Sequence, residues 1–215
     1  MVAAPSPSTP PGSDPSPMGL KRIEAWLALP EDDGAELING RIVYKAMASL
    51  EHGDAIVGIS EQLGISRGPR REGRGGWWLS QEPDLYLAGN GVRPDIVGWR
   101  VEKHPSPPRK VNVGAEHLGV YVACPDWVCE VLSESTRARD EAGGVKWRTY
   151  WDAGVAHYWL VDLVAMQVTV YARGADDFEA VDIAGGSSLK PLAPFSDLSF
   201  DAQRVFILAE AARDG

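Results

Sequence analysis

The run Trp127-Val128-Cys129-Glu130-Val131-Leu132 places one carboxyl group inside an otherwise apolar stretch. Six residues of this kind, rich in β-branched and aromatic side chains, read as a strand apolar on both faces, and such strands belong in the middle of a covered sheet. A charge there is costly unless it is paired or holds a metal. The pattern recurs in Val92-Arg93-Pro94-Asp95-Ile96-Val97, where Asp95 interrupts a second apolar run that reads as one strand over residues 92–99. Two buried acids have two ordinary explanations. One is a structural ion pair, with Arg93 or Arg137 as the partner. The other is a divalent-cation site, in which hard oxygen ligands hold Mg²⁺ beside a substrate phosphate.

Composition narrows the classes. With 215 residues, 44% apolar and 24% charged, the chain has the makeup of a globular domain, which excludes collagen, coiled coil and disorder throughout. No run approaches about 18 apolar residues, so no membrane-spanning helix is expected. Two cysteines, Cys124 and Cys129, without a Cys/His cluster argue against a disulfide scaffold or structural zinc. The cytoplasm is the simplest compartment. A net charge of −9 opposes general, salt-driven nucleic-acid binding, so any such role needs a local basic surface or a bound metal. The dense basic patch is the loop around residues 67–74, with Arg67, Arg70, Arg71 and Arg74; it is either a solvated loop or a phosphate contact.

Residues 1–18 hold six of the sixteen prolines and read as a disordered tail without a secretory signal, with Met18 a candidate natural start. Residues 19–215 are expected to form a single domain. Apolar spacing predicts helices over 19–29, 52–64, 144–153 and 201–212. Asn39-Gly40 predicts a hairpin over 35–45. Strands are expected over 77–79, 84–87, 92–99, 127–132, 157–163, 167–172 and 178–183, with a turn at Gly89-Asn90-Gly91 and loops over 103–110 and 109–122. This order predicts a mixed α/β domain, a central sheet flanked by helices.

Two further residues carry candidate chemistry. Glu36 lies where the chain enters the hairpin, as a solvent-facing strand end or a third acid of the site. Lys146 and Tyr150 are spaced i, i+4 and share one helix face just after the Glu130 strand. Such a lysine either stays in solvent or reaches back over the carboxylates, to orient water or stabilise charge on a phosphate.

The ordered set Glu36-Leu-Ile-Asn-Gly40, His52, Arg93-Pro94-Asp95, Glu130-Val-Leu-Ser133 with Ser135-Thr136 and Asp140, Lys146 with Tyr150, and Gly154-Val155 with His157-Tyr-Trp-Leu-Val-Asp162 resembles the Uma-two family of restriction-endonuclease-like proteins, a branch of the PD-(D/E)xK nuclease-like superfamily. The resemblance runs over residues 36–171. It implies a restriction-endonuclease-like central mixed sheet with acids on neighbouring strands, and a metal-dependent endonuclease that hydrolyses phosphodiester bonds of nucleic acid, DNA first. In that scheme Asp95 and Glu130, with the main-chain carbonyl of Val131, hold Mg²⁺ or Mn²⁺. Glu36 completes or extends the cluster, and Lys146 orients water or stabilises the phosphate. His52 matches a family histidine. The position two beyond Glu130, where most of the superfamily has lysine, is Leu132. Five residues separate Asp140 from Lys146, more than the family usually has, and Gly143-Gly144 there weaken a helix start. Double-strand cleavage with one site per chain favours a homodimer; no membrane partner is implied. Two alternatives stand beside this reading: a catalytically silent nuclease-fold domain acting by binding or self-association, and a structural ion-pair core. His104, His117 and His157 show no ligand spacing, and Asp162 reads as a structural hydrogen-bonding residue.

Overall fold

Asn39 and Gly40 both take positive φ, 50° and 72°, as a two-residue hairpin turn requires. They join β1 (Ala35–Ile38) to β2 (Arg41–Tyr44), with Glu36 opposite Val43 and Ile38 opposite Arg41. The computed structural model describes residues 17–30, 33–45, 47–64, 76–114, 118–133 and 137–214. The arginines at 67–74, His117, Ser135, Thr136 and residues 1–16 lie outside the described residues. Helix α1 (Pro17–Leu27) begins inside the stretch expected to be tail.

Two six-stranded sheets and a hairpin carry the strands. The first sheet runs β2-β1-β5-β4-β8-β7, with β4 (Leu85–Leu87), β5 (Asn90–Val92), β7 (Lys110–Val113) and β8 (Leu118–Tyr121). The second runs β12-β11-β10-β9-β6-β3, with β3 (Trp77–Gln81), β6 (Ile96–Arg100), β9 (Trp127–Leu132), β10 (His157–Asp162), β11 (Gln167–Arg173) and β12 (Phe178–Gly185). It is mixed, since β9 pairs parallel with β10 and antiparallel with β6. The hairpin is β13 (Leu189–Leu192) with β14 (Phe195–Asp201).

The helices fill the layers that strand alternation leaves apolar. On β9, Trp127, Cys129 and Val131 face a core built with α2 (Leu50–Leu63), β14 and α5 (Ile207–Asp214). Val128 and Leu132 face the opposite way, into a core shared with Ile38, Leu85 and Val92 of the first sheet and with Trp147 and Tyr150 of α4 (Val145–Ala153). The outer face of the first sheet, with Leu37, Tyr86 and Val120, packs on Ile23 and Trp26 of α1. A Cβ on Gly91 would lie 2.5 Å from the Trp26 ring, so only glycine lets α1 approach β5 here.

Several expectations are corrected. Residues 92–99 are two strands in different sheets: the chain leaves the first sheet at Val92 and enters the second at Ile96. Pro94 has no N–H to give a ladder and restricts Arg93, so the run breaks at the residues that carry the acid. The Gly89-Asn90-Gly91 turn is instead Ala88-Gly89, and Asn90 already opens β5. The loop expected over 109–122 contains the β7-β8 hairpin, whose Val113 and Val120 are fully buried. The expected helix over 201–212 begins only at Ile207; before it come β14 and a 3₁₀ turn, pinned by buried Phe200 and Val205. Among the described residues no helix is long and apolar enough to cross a membrane.

Candidate active site

Alternation explains why distant acids meet. Glu130 shares its strand face with Val128 and Leu132, and Glu36 shares its face with Ile38. Both faces look into the layer between the sheets, where α4 also lies. Lys146, on the first turn of α4, meets them there. Its Nζ is 2.6 Å from Glu130 Oε1, 3.0 Å from Glu36 Oε1 and 3.4 Å from Asp140 Oδ1. Glu36, Glu130 and Lys146 are wholly buried. These contacts are ion pairs and not aligned hydrogen bonds; Lys146 Nζ, Glu36 Oε2, Glu130 Oε2 and Asp140 Oδ1 all lack a hydrogen-bond partner. Tyr150, one turn along α4, donates its hydroxyl to Glu130 Oε1 at 2.5 Å. Arg93 N–H donates to Glu36 Oε1 at 3.0 Å, and Arg139 Nη1 stands 3.6 Å from Glu36 Oε2.

The two glycines before α4 do not unwind it. A Cβ on Gly144 would lie 2.3 Å from Arg139 O. Glycine there lets α4 turn tightly against α3 (Arg137–Asp140), which brings Asp140 and Lys146 together.

Asp95 lies beside this cluster with its own contacts. Its Oδ2 accepts the Val131 N–H at 2.6 Å, the residue after Glu130, and lies 3.4 Å from His52 Nε2. Its Oδ1 is 3.3 Å from Lys45 Nζ, which also donates to Arg93 O at 2.7 Å. A cleft of about 220 Å³ opens over this half and is lined by Lys45, His52, Asp95, Val131, Ser133 and Asp140 among others. Met47, His52 and Ser133 also border a wider groove, about 740 Å³, between α2, α5 and the end of β9.

Burial and charge pull the acids apart. Burial opposes ionisation of Asp95, but Lys45 and His52 outweigh it and hold the carboxyl well below its ordinary range. Burial likewise opposes the Glu36 charge, and Lys146 and Lys45 overcome it, so its pKa is lowered. Glu130 goes the other way: burial dominates over Lys146, Asp140 and Asp95 add repulsion, and the carboxyl is pushed up to about 8. Lys146 stays a cation, since Asp140, Glu130 and Glu36 outweigh its burial.

All four expected residues, Glu36, Asp95, Glu130 and Lys146, therefore stand in one neighbourhood, with Val131 bridging two of them. The arginines considered as structural partners pair elsewhere: Arg93 with Asp84 at 2.8 Å, Arg137 with Asp162 at 2.9 Å. Asp162 also accepts the N–H groups of Val164 and Ala165. Lys45 and Arg139 were not anticipated. The hairpin register could have found Lys45: Val43 faces Glu36, and Lys45, two residues on, falls on the same side.

A crystal structure described as a "putative nuclease belonging to DUF820" from Anabaena variabilis ATCC 29413 matches with a TM-score of 0.62 at 19% identity, over 87% of this chain and 98% of that one. The two share a fold of mixed sheets flanked by helices. No curated protein matches the sequence. The chain belongs to the Uma2 family, described as "putative restriction endonuclease", whose family model matches residues 21–203.

Proposed function

We propose that this nuclease-family chain is a metal-dependent endonuclease hydrolysing phosphodiester bonds of nucleic acid, DNA first. The observation that carries it is the Val131 N–H to Asp95 hydrogen bond, which ties the Asp95 carboxylate, at the wall of an open cleft, to the strand that carries Glu130.

Among the described residues no group of three or more His, Cys, Asp or Glu side chains is placed to hold a metal ion by itself. The donors suit a different kind of site. Mg²⁺ and Mn²⁺ prefer oxygen, and Mg²⁺ is commonly held by one or two carboxylates, with water and substrate phosphate completing its shell. Asp95 and Glu130 supply two carboxyl groups, and Glu130 Oε2 is buried without a hydrogen-bond partner. In a strand the N–H and C=O of one residue point to the same edge, so the Val131 carbonyl points to the Asp95 side as its N–H does. Asp95, Glu130 and the Val131 carbonyl would hold the ion, with Glu36 behind them. Bound there, it polarises a phosphoryl oxygen and lowers the pKa of water.

The rest is done by the chain itself. Lys146 ties Glu36, Asp140 and Glu130 into one rigid group, and Tyr150 fixes the rotamer of Glu130. His52 and Val131 N–H fix Asp95. Two-fold pairing of such chains would bring two sites to the two strands of a duplex.

The test is cleavage of plasmid DNA and of RNA by the purified chain in Mg²⁺ or Mn²⁺. Asp95→Asn and Glu130→Gln are each expected to lower the rate by at least about a hundredfold, since the ion supplies several kcal/mol of charge stabilisation. Calorimetry with Mn²⁺ should show binding that Glu130→Gln abolishes. A second reading, a silent nuclease-fold module, draws on the complete burial of Glu130 and Lys146. It predicts no cleavage and no Mn²⁺ binding.

A further inference from the structure

We propose that Lys45, and not Lys146, is the lysine that meets the scissile phosphate. The proposal rests on the nuclease reading above and assigns the phosphate contact within that site.

Lys146 has no surface to offer. It is wholly buried, surrounded by three carboxylates, and does not line the cleft. Reaching a substrate would require it to abandon Glu36 and Glu130 inside the protein, leaving Glu36 with the more distant Arg139 and Glu130 with no cation in contact. Lys45 is placed differently. It follows β2, with its N–H on Gly34 O at 3.1 Å continuing the hairpin register, so it stands on the Glu36 side of the hairpin. Its side chain keeps 14% exposure and lines the cleft together with Asp95. Two contacts tether the ammonium to the crossover that carries the acid, Arg93 O at 2.7 Å and Asp95 Oδ1 at 3.3 Å. An ammonium has three donors, so one remains for an incoming oxygen.

The charge around the cleft makes this donor necessary. Among the described residues, four carboxylates line it, from Asp33, Glu82, Asp95 and Asp140, and Lys45 is the one lysine or arginine there. A phosphodiester approaching those carboxylates is repelled, and Lys45 or a bound cation offsets that repulsion. In the reaction the oxygen of water forms the new bond to phosphorus, the bond to the leaving sugar oxygen breaks, and that oxygen ends with one of the water's protons. Lys45 keeps its own proton throughout and donates a hydrogen bond to a non-bridging oxygen, whose charge grows as water adds.

The experiment compares wild type, Lys45→Met, Lys45→Gln and Lys45→Arg. Binding of a fluorescein-labelled single-stranded DNA oligonucleotide is followed by anisotropy in EDTA over a salt series, and cleavage is followed in Mg²⁺. Lys45→Met is expected to weaken binding, to reduce the salt slope by about one phosphate contact, and to lower kcat by about a hundredfold. Lys45→Gln should behave alike and takes its place if the methionine variant does not melt cooperatively. Lys45→Arg should recover the salt slope and part of the rate, which a purely structural role would not require. A wild type that cleaves, with Lys45→Met or Lys45→Gln binding and cleaving as well, overturns the proposal and leaves the nuclease reading intact. A wild type that cleaves neither DNA nor RNA overturns the nuclease reading, and the proposal with it.

Discussion

Lys146→Met is expected to destabilise the fold by about 3–5 kcal/mol, the usual cost of removing one partner from a buried ion pair. The lysine is wholly buried and stands within 3.4 Å of three carboxylates. Methionine fills nearly the same space, so the loss is electrostatic and not a cavity. Glu36 would retain Arg93 N–H and the more distant Arg139. Glu130 would retain only the Tyr150 hydroxyl as a donor, and once ionised above about pH 8 it would face Glu36 and Asp140 with no cation between them. At pH 9, above the value of about 8 that Glu130 takes in the fold, the double variant Lys146→Met, Glu130→Gln should recover a substantial part of the loss, because it removes the charge left behind; the recovery measures the coupling directly. Urea unfolding in EDTA gives both numbers. A Lys146→Met protein as stable as wild type would mean that the cluster is not charged as the geometry requires.

Stability of the metal-free protein should fall as pH rises from about 5 to 9, against the common pattern. The Glu130 carboxyl sits at about 8 in the folded protein, pushed up by burial and by Asp140 and Asp95, against an ordinary value of 4.5. Between these values the folded state holds a proton that the unfolded chain has lost. Its contribution is therefore present in full below 4.5, shrinks as pH climbs, and is gone above about 8. A shift of this size corresponds to several kcal/mol. Asp95 and Glu36 have lowered values, so their contributions run oppositely: present above the ordinary carboxylate range and lost in acid. Together they place the optimum on the acid side of neutrality. Melting temperatures in EDTA at pH 5, 7 and 9 check this, and Glu130→Gln should flatten the decline. Mn²⁺ should raise the melting temperature most at pH 9, because a cation binds the deprotonated carboxylate. A wild-type protein whose stability is level or rising from pH 5 to 9 would falsify the assignment of Glu130 as the high-pKa acid.

These effects share one origin. Four acidic side chains, two lysines and an arginine meet where the sheets pack, and Glu36, Asp95, Glu130 and Lys146 take their ionisation states from their charged neighbours and their burial. The site is thus a piece of the fold as much as a place for chemistry, and variants meant to probe catalysis need a stability measurement beside them.

The strand around Glu130 was legible because an uninterrupted apolar run leaves few other conformations, and the Asn39-Gly40 hairpin because a two-residue turn demands positive φ. The β7-β8 and β13-β14 hairpins were not. Their strands mix lysine, proline and aspartate with single buried positions such as Val113, Leu192 and Phe200, which local spacing does not distinguish from loop. Residues 92–99 misled for the opposite reason: apolar residues on both sides of Arg93-Pro94-Asp95 read as one strand, yet each half serves a different sheet. Asp95 stood out as a charge in an apolar stretch, whereas Lys45 looked like any lysine at the end of a strand.

By itself the sequence determined the kinds of residue available and the faces they take along each strand, since alternation is a local property of the backbone. It singled out Glu130 and Asp95 as charges requiring partners. Only the tertiary structure decided what those partners are. The sheets pack with the Glu36 and Glu130 faces toward each other, a relation between segments almost a hundred residues apart that no local spacing encodes. That packing, with the tight turn at Gly144, sealed Lys146 away from solvent and left Lys45 at the opening.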